Sequence, residues 1–181
     1  MDLGAGDARF AVAIALSQPD TLAVAVDAHP QAMADGSRRV QRRRLPNVLL
    51  VAARAEELPH ELDGLADAVA VHFPWGSLLA GMLGTGPGAE PIAAGLARVV
   101  RAGGEVTAVL SITDRERALD LPRLDAALAP ALAAHYEPHD LALTEWRPAT
   151  AGEIADTRSS WAKRLGAGPR RPAWLLRLRR R

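Results

Sequence analysis

Four groups of residues have types and spacings that can do chemistry. The first is Gly4-Ala5-Gly6 together with Asp27. A glycine turn at the end of a strand lets the backbone approach a ligand closely. An acid closing the next strand, about 20 residues on, can accept from both hydroxyls of a ribose. NAD and S-adenosylmethionine both fit that pattern. Arg9 stands where the dinucleotide fingerprint needs its third glycine, so a pyrophosphate has a poorer seat, and the acid Asp2 suits a ligand carrying an ammonium group. The balance favours S-adenosylmethionine. Asp27 has a second reading, as the N-cap of the following helix. The next group is Ala55-Glu56, which can line the adenine of the same cofactor or simply open a short helix, where acids suit the dipole. In the third, a Val-rich apolar run stops at Pro74 and is followed by Trp75 and Gly76. Such a strand sets a flat indole at the carboxyl edge of a sheet, where open α/β sheets bind ligands. Alternatively the indole plugs the core under a loop. The last group is Trp161 beside Lys163 and Arg164. Aromatics interleaved with basic residues hold an unstacked base beside a phosphate chain. Ile154, Trp161 and Leu165 also fall on one helical stripe, which would make Trp161 a core residue.

These groups need a scaffold, and the periodicity supplies one. Strands are predicted at Thr21–Val26, Val48–Ala53, Asp67–His72, Glu105–Ser111, Leu141–Trp146 and Trp174–Leu178. Helices are predicted at Ala8–Leu16, His29–Arg43, Pro91–Arg101 and Leu121–Ala134, with a short turn at Ala55–Leu58. Gly103-Gly104 reads as the stop of the third of these helices. Thr150-Ala-Gly-Glu153 is a capping box that opens a helix reaching about Leu165. The alternation predicts one domain of the α/β class, a mostly parallel sheet with helices on both faces. The central strand belongs just before Gly4, where only Met1 to Leu3 remain for it. A middle strand that short leaves ladder hydrogen bonds unmade, so the natural protein is expected to extend further at its amino end.

At 181 residues the chain can bury a real core. Its net charge of +1 is unevenly spread. Asp35 to Arg54 holds six arginines and one acid, and Arg158 to Arg181 holds nine basic residues and no acid. Segregation of this kind suggests a polyanion partner. A GC-rich genome would also supply arginine over lysine, but would not remove the acids. There is no cysteine, which excludes disulfides and thiolate metal sites, and no metal is expected. No apolar run approaches the ~20 residues of a membrane span, and no charged-then-apolar leader is present. A cytoplasmic protein with no membrane partner is expected.

Six blocks together resemble one family. They are Asp2-Leu-Gly-Ala-Gly-Asp7, Val26-Asp27-Ala28, Leu45-Pro46-Asn47, Ala55-Glu56-Glu57-Leu58-Pro59, Phe73-Pro-Trp-Gly-Ser-Leu-Leu79 and Ser159-Ser-Trp-Ala-Lys-Arg-Leu165. They look like the kanamycin–apramycin resistance methyltransferases, which act on N1 of adenine 1408 in 16S ribosomal RNA. The resemblance covers essentially the whole chain apart from the family's amino-terminal hairpin and first strand. It implies a Rossmann-like class I S-adenosylmethionine-dependent methyltransferase, monomeric, acting on the 30S subunit. The implied cofactor site is Asp2, Gly4, Gly6, Asp27, Ala28, Ala55, Glu56 and the Phe73, Pro74, Trp75, Gly76, Ser77 segment, closed by Ser159, Ser160 and Trp161. Trp75 and Trp161 would sandwich the flipped adenine. The RNA surface would fall on Arg38, Arg39, Arg42, Arg43 and Arg44, and on Lys163, Arg164, Arg170 and Arg171. Ala8 stands where the family often has glycine. No catalytic base is needed, because N1 of neutral adenine carries a lone pair and no proton; His72, the nearest candidate, reads as structural. Rival assignments are a methyltransferase for another RNA, such as the transfer RNA guanine-N7 enzymes, a small-molecule methyltransferase, and a non-catalytic RNA-binding relic.

Overall fold

The computed structural model describes residues 1–112, 116, 120–158 and 171–181. Seven strands form one sheet: β1 (Asp2–Leu3), β2 (Ala23–Asp27), β3 (Val48–Ala52), β4 (Ala66–His72), β5 (Val100–Leu110), β6 (Leu141–Pro148) and β7 (Trp174–Arg180). Their spatial order is β3-β2-β1-β4-β5-β7-β6. The first five are mutually parallel, and β7 runs antiparallel to both β5 and β6. β1 is two residues long, yet it joins the halves of the sheet, pairing Asp2 with Ala25 on one side and with Ala70 on the other. The order reverses at β1, so a crevice opens at the carboxyl ends of β1, β2 and β4.

Alternation along the strands separates two faces. Val106, Ala108 and Leu110 of β5 and Leu176 and Leu178 of β7 enter the large core, with Leu79 and Met82 of α3 (Gly76–Met82) and Ile92 and Leu96 of α4 (Ala89–Val99). The intervening Val109 and Leu175 face the other way, against Phe73 and Ile154. Ala23 and Ala25 of β2 likewise pack on Ala11 and Ala15 of α1 (Arg9–Ser17). Small residues on both sides of that contact let α1 lie close to the sheet.

Several boundaries differ from the sequence-based expectation, each for a local reason. Gly103-Gly104 does not stop a helix. α4 ends at Val99, β5 starts at once, and the glycines form a bulge within it, between the pairs Ala66 with Val100 and Ala68 with Glu105. Gly103 has φ +75°, and a Cβ on Gly104 would sit 2.9 Å from the Asp67 carbonyl oxygen. The helix expected from His29 begins five residues later, as α2 (Ala34–Arg43), because Asp27 holds the His29 N–H in a side-chain turn. The helix expected from Leu121 begins as a 3-10 turn at Ala126, capped by the Asp125 side chain, and becomes α5 only over Ala129–Tyr136. Pro130, which has no N–H to give, fits the first turn of α5 and not its middle. The capping box at Thr150 is present in both directions and opens α6 (Ala151–Asp156). α6 does not reach Leu165: Thr157 caps it and Arg158 turns left-handed at φ 51°. Of the stripe Ile154, Trp161, Leu165 only Ile154 lies on α6; Trp161 and Leu165 lie outside the described residues.

Three non-glycine residues take left-handed backbone beside the crevice, Ala8 at φ 54°, Phe73 at φ 49° and Arg158 at φ 51°. Ala8 is the N-cap of α1 and is fully buried. A left-handed conformation costs an L-residue about 1–2 kcal/mol, more than the ~0.8 kcal/mol from burying one methyl. Ala8→Gly is therefore expected to stabilise the protein by about 0.5–1 kcal/mol and raise the melting temperature by roughly 1–4 °C, read by thermal circular dichroism.

Candidate active site

The crevice is a cavity of about 420 Å³. Its floor is the glycine turn after β1. The N–H groups of Gly4 and Ala5 both donate to the Val26 carbonyl, at 2.8 and 3.0 Å. Gly4 has φ +74°, and a Cβ there would meet Leu78 at 2.9 Å. Only glycine gives this turn both its φ and its clearance. Asp27 then ties the turn to β2. Its Oδ2 accepts from the Gly6 N–H and its Oδ1 from the His29 N–H, both at 2.8 Å. The Asp27 carboxylate is thus fixed in direction with acceptor capacity left on each oxygen. It does not cap α2, whose N-cap is Met33.

Asp2 lies at the closed end, only 4% exposed. Burial pushes its carboxyl up to about 7, against the opposing pull of the nearby α-ammonium of Met1. A buried acid poised in this way gains most from a ligand cation. On the opposite wall Ala55 and Glu56 form a 3-10 turn after β3. Burial works to raise the Glu56 pKa, but the Ser77 hydroxyl, its own backbone and the Arg54 guanidinium outweigh that and hold it below the ordinary range. Glu56 therefore stays an acceptor, linked through Ser77 to the first turn of α3.

β4 closes the site. Phe73 is buried and left-handed, Gly76 has φ +59°, and between them Pro74 is buried while Trp75 projects at the mouth. Trp75 is 60% exposed, so it does not plug the core. Ala28 lines the same cavity. All the expected cofactor positions among the described residues therefore converge on one crevice. Ser159, Ser160 and Trp161 lie outside the described residues, as do Lys163, Arg164 and Arg170.

The sequence reading missed other lining residues. Phe10, on the first turn of α1, meets the His72 ring edge-on at 4.5 Å. His29 stacks on Trp75. Thr157 and Arg158 approach from the end of α6. None sits in a motif, and only the chain reversal at β1 brings them together. Burial pushes the His72 pKa down to about 4, and its Nδ1 is buried without a partner among the described residues. A neutral imidazole of that basicity is a poor proton acceptor, in line with a structural role.

The basic surface is uneven. Arg42, Arg43 and Arg44 are exposed at the end of α2 and make no ion pair with any described residue. Arg38 pairs with Asp35. Arg39 is half-buried, its guanidinium donating to the Asp7 carbonyl at 3.0 Å, so it braces the glycine turn and is not a free cation. Arg171 is also half-buried, with Nη1 buried and unpartnered among the described residues. Further along, Arg177 meets Glu145 at 3.3 Å and Arg179 meets Glu105 at 3.3 Å. Arg180 and Arg181 lie 3.7 Å from Asp140 and 3.8 Å from Glu137. Much of the acid-free last segment is therefore neutralised by acids from elsewhere in the chain.

A reversal at β1, a glycine turn, an acid ending β2 and an antiparallel β7 beside β5 define a Rossmann-like class I methyltransferase that uses S-adenosylmethionine. Residues 1–179 match the NpmA family, described as 16S rRNA (adenine(1408)-N(1))-methyltransferase, and the chain belongs to that family. It is 32% identical over 178 residues to the 16S rRNA (adenine(1408)-N(1))-methyltransferase of Streptoalloteichus hindustanus, covering 92% of this chain and 80% of that protein. Among solved structures, it is similar to the antibiotic-resistance methyltransferase Kmr, with TM-score 0.80 and 31% identity over 99% of this chain and 84% of the other. It is also similar to a mutant 16S rRNA (adenine(1408)-N(1))-methyltransferase from Catenulisporales acidiphilia solved with cosubstrate SAM. There the TM-score is 0.83 and identity 29%, over 99% of this chain and 84% of that one. No helix among the described residues is long and apolar enough to cross a membrane.

Asp2 gives a pH test. Below about pH 7 it is protonated in the free protein and cannot pair with an ammonium. Affinity for S-adenosylmethionine is expected to fall as pH drops from 8 to 6. Asp2→Asn is expected to bind at least about tenfold more weakly at pH 8 and to lose that pH dependence, both read by calorimetry. Stability without ligand moves the other way. A carboxyl with a raised folded pKa favours folding at low pH, and that contribution is lost as pH rises from about 4 to 7. Asp2→Asn is expected to melt higher than the parent at pH 8.

Proposed function

We propose that this chain transfers a methyl group from S-adenosylmethionine to N1 of adenine 1408 of 16S rRNA, within the 30S subunit, and so confers aminoglycoside resistance. It acts as a cytoplasmic monomer through a single catalytic domain. The observation that carries the reading is the crevice itself, with an oriented Asp27, a buried Asp2, a strained β4 end and an exposed indole at its mouth.

When bound, S-adenosylmethionine supplies an electrophilic methyl on a sulfonium centre. The residues present fit it: Asp27 offers two oriented carboxylate oxygens to a ribose, Asp2 a buried acid to an ammonium, and Ala28, Ala55 and Glu56 a wall for a purine. Gly4 and Gly6 give the backbone clearance. The chain moves no proton, since N1 of neutral adenine has a free lone pair. Its task is to extract the base, hold it and align it. Extraction costs a few kcal/mol, and stacking returns about 1–3 kcal/mol per base. Trp75 supplies one stacking face and Trp161 the other, with Ser159 and Ser160 closing the site. The purine turns cationic as its N1 is alkylated, and an indole face attracts a cation by ~0.5–2 kcal/mol, so the sandwich favours the transition state as well as binding. Arg42, Arg43 and Arg44 dock on rRNA phosphates, with Lys163, Arg164 and Arg170 as the second basic patch.

Trp75→Ala and Trp161→Ala are each expected to lower kcat/KM at least about tenfold, with affinity for S-adenosylmethionine changed less than about threefold. Primer extension on 16S RNA reads the first and calorimetry the second. Equal methylation of transfer RNA would redirect the assignment. Arg42→Glu with Arg43→Glu is expected to weaken 30S binding and to reduce the slope of log affinity against log salt by about 2. An unchanged salt slope would remove these arginines from the docking surface.

A further inference from the structure

The His29 imidazole stacks on the Trp75 indole, with ring centroids 6.1 Å apart and planes 22° from parallel. The two come from different elements. His29 follows the end of β2 and Trp75 the end of β4, and both line the crevice. An exposed indole on a turn has several rotamers open to it, and a base can stack only on the one that faces the site. The stack removes that freedom. His29 is itself anchored: its N–H donates to Asp27 Oδ1 at 2.8 Å, and its ring Nδ1 lies 3.6 Å from the same oxygen. The carboxylate placed for a ribose thus also sets the ring that sets the indole. The rings are offset and Trp75 stays 60% exposed, so the indole held by the imidazole remains open to an incoming purine.

We propose that His29 is a positioning residue for the target base, holding Trp75 at the mouth of the crevice so that its exposed indole receives the flipped adenine. The inference rests on the methyltransferase reading above and adds a third ring to its stack: imidazole, indole, purine. A phenyl ring could do the same work, and a methyl group could not. The effect falls on base capture after docking, so it belongs in kcat and not in KM for the 30S subunit.

The test measures methylation of 30S subunits by the full chain and its variants. His29→Ala is expected to lower kcat about threefold to tenfold, leaving KM for 30S and affinity for S-adenosylmethionine within about twofold. His29→Phe is expected to restore kcat to within about twofold. In a Trp75→Ala background, read under enzyme excess, His29→Ala is expected to cost nothing further. A comparable loss in that background, or a parallel loss of cofactor affinity, would overturn the proposal. A second readout does not depend on activity. The emission of Trp75, isolated as the difference between the parent and Trp75→Phe, is expected to become more quenchable by acrylamide in His29→Ala. Unchanged quenching would show that no stack forms in solution, whatever the activity. If adenine 1408 were not methylated by the parent chain while quenching changed as expected, the functional reading would fall and the stack would stand.

Discussion

The site depends on one carboxylate. Asp27 closes β2, and its two oxygens accept from backbone N–H groups of two different turns, at Gly6 and at His29. One bond holds the glycine turn of β1 against β2. The other bends the chain toward α2 and delays the helix. Charge-assisted bonds to backbone amides are stronger than neutral ones and leave little freedom to the groups they join. From there α2 packs back on the turn at Gly36, where a Cβ would lie 2.9 Å from the Asp7 carbonyl oxygen. Arg39 reaches that same oxygen from one turn further along α2. The acid that lines the crevice is therefore also the fastener of its floor.

The backbone carries a cost for this arrangement. Ala8 and Phe73 are both left-handed and both flank the crevice, one after β1 and one after β4. Residues held in that region persist only where their surroundings over-determine them, and they cluster at functional sites. Phe73 is held because its N–H donates to the Val109 carbonyl and its ring packs on Val109, Ala173 and Leu175. At the resulting bend Pro74 stays buried, Trp75 is exposed and Gly76 begins α3. The left-handed Phe73 and the exposed Trp75 thus lie two residues apart on one bend after β4.

What was legible in the sequence followed physical range. Strand positions, the glycine turn, Asp27 at the end of its strand and the capping box at Thr150 depend on neighbours a few residues away, and the structure has them at those places. Helix ends were read less well, because distant partners decide them. Gly103-Gly104 looks like a helix stop by composition, but Asp67 on β4 and the bulge in β5 give it another role. Arg158 ends α6 by turning left-handed, which no propensity would assign to arginine. Of the site, the motif residues were visible, whereas His29, Phe10 and Thr157 were not. They have no spacing rule of their own and meet only because β1 lies between β2 and β4.

Charge shows why segregation along a chain is a poor map of a binding surface. The last segment has no acid, yet Arg177 and Arg179 face Glu145 and Glu105 across strand pairs, and Arg180 and Arg181 lie near Asp140 and Glu137. An antiparallel strand can borrow its counter-charges from neighbours far away in sequence, so local composition says little about its field. A helix end cannot borrow in the same way. Arg42 and Arg43 close α2 and Arg44 caps it left-handed, pointing three guanidinium groups into solvent with no acid of the described residues paired to them. Such cations are stabilised by the helix dipole and cost nothing to desolvate until a phosphate arrives. Two runs of arginine that look alike in the sequence thus differ in the fold: Arg177, Arg179, Arg180 and Arg181 have acids beside them, and Arg42, Arg43 and Arg44 have none among the described residues.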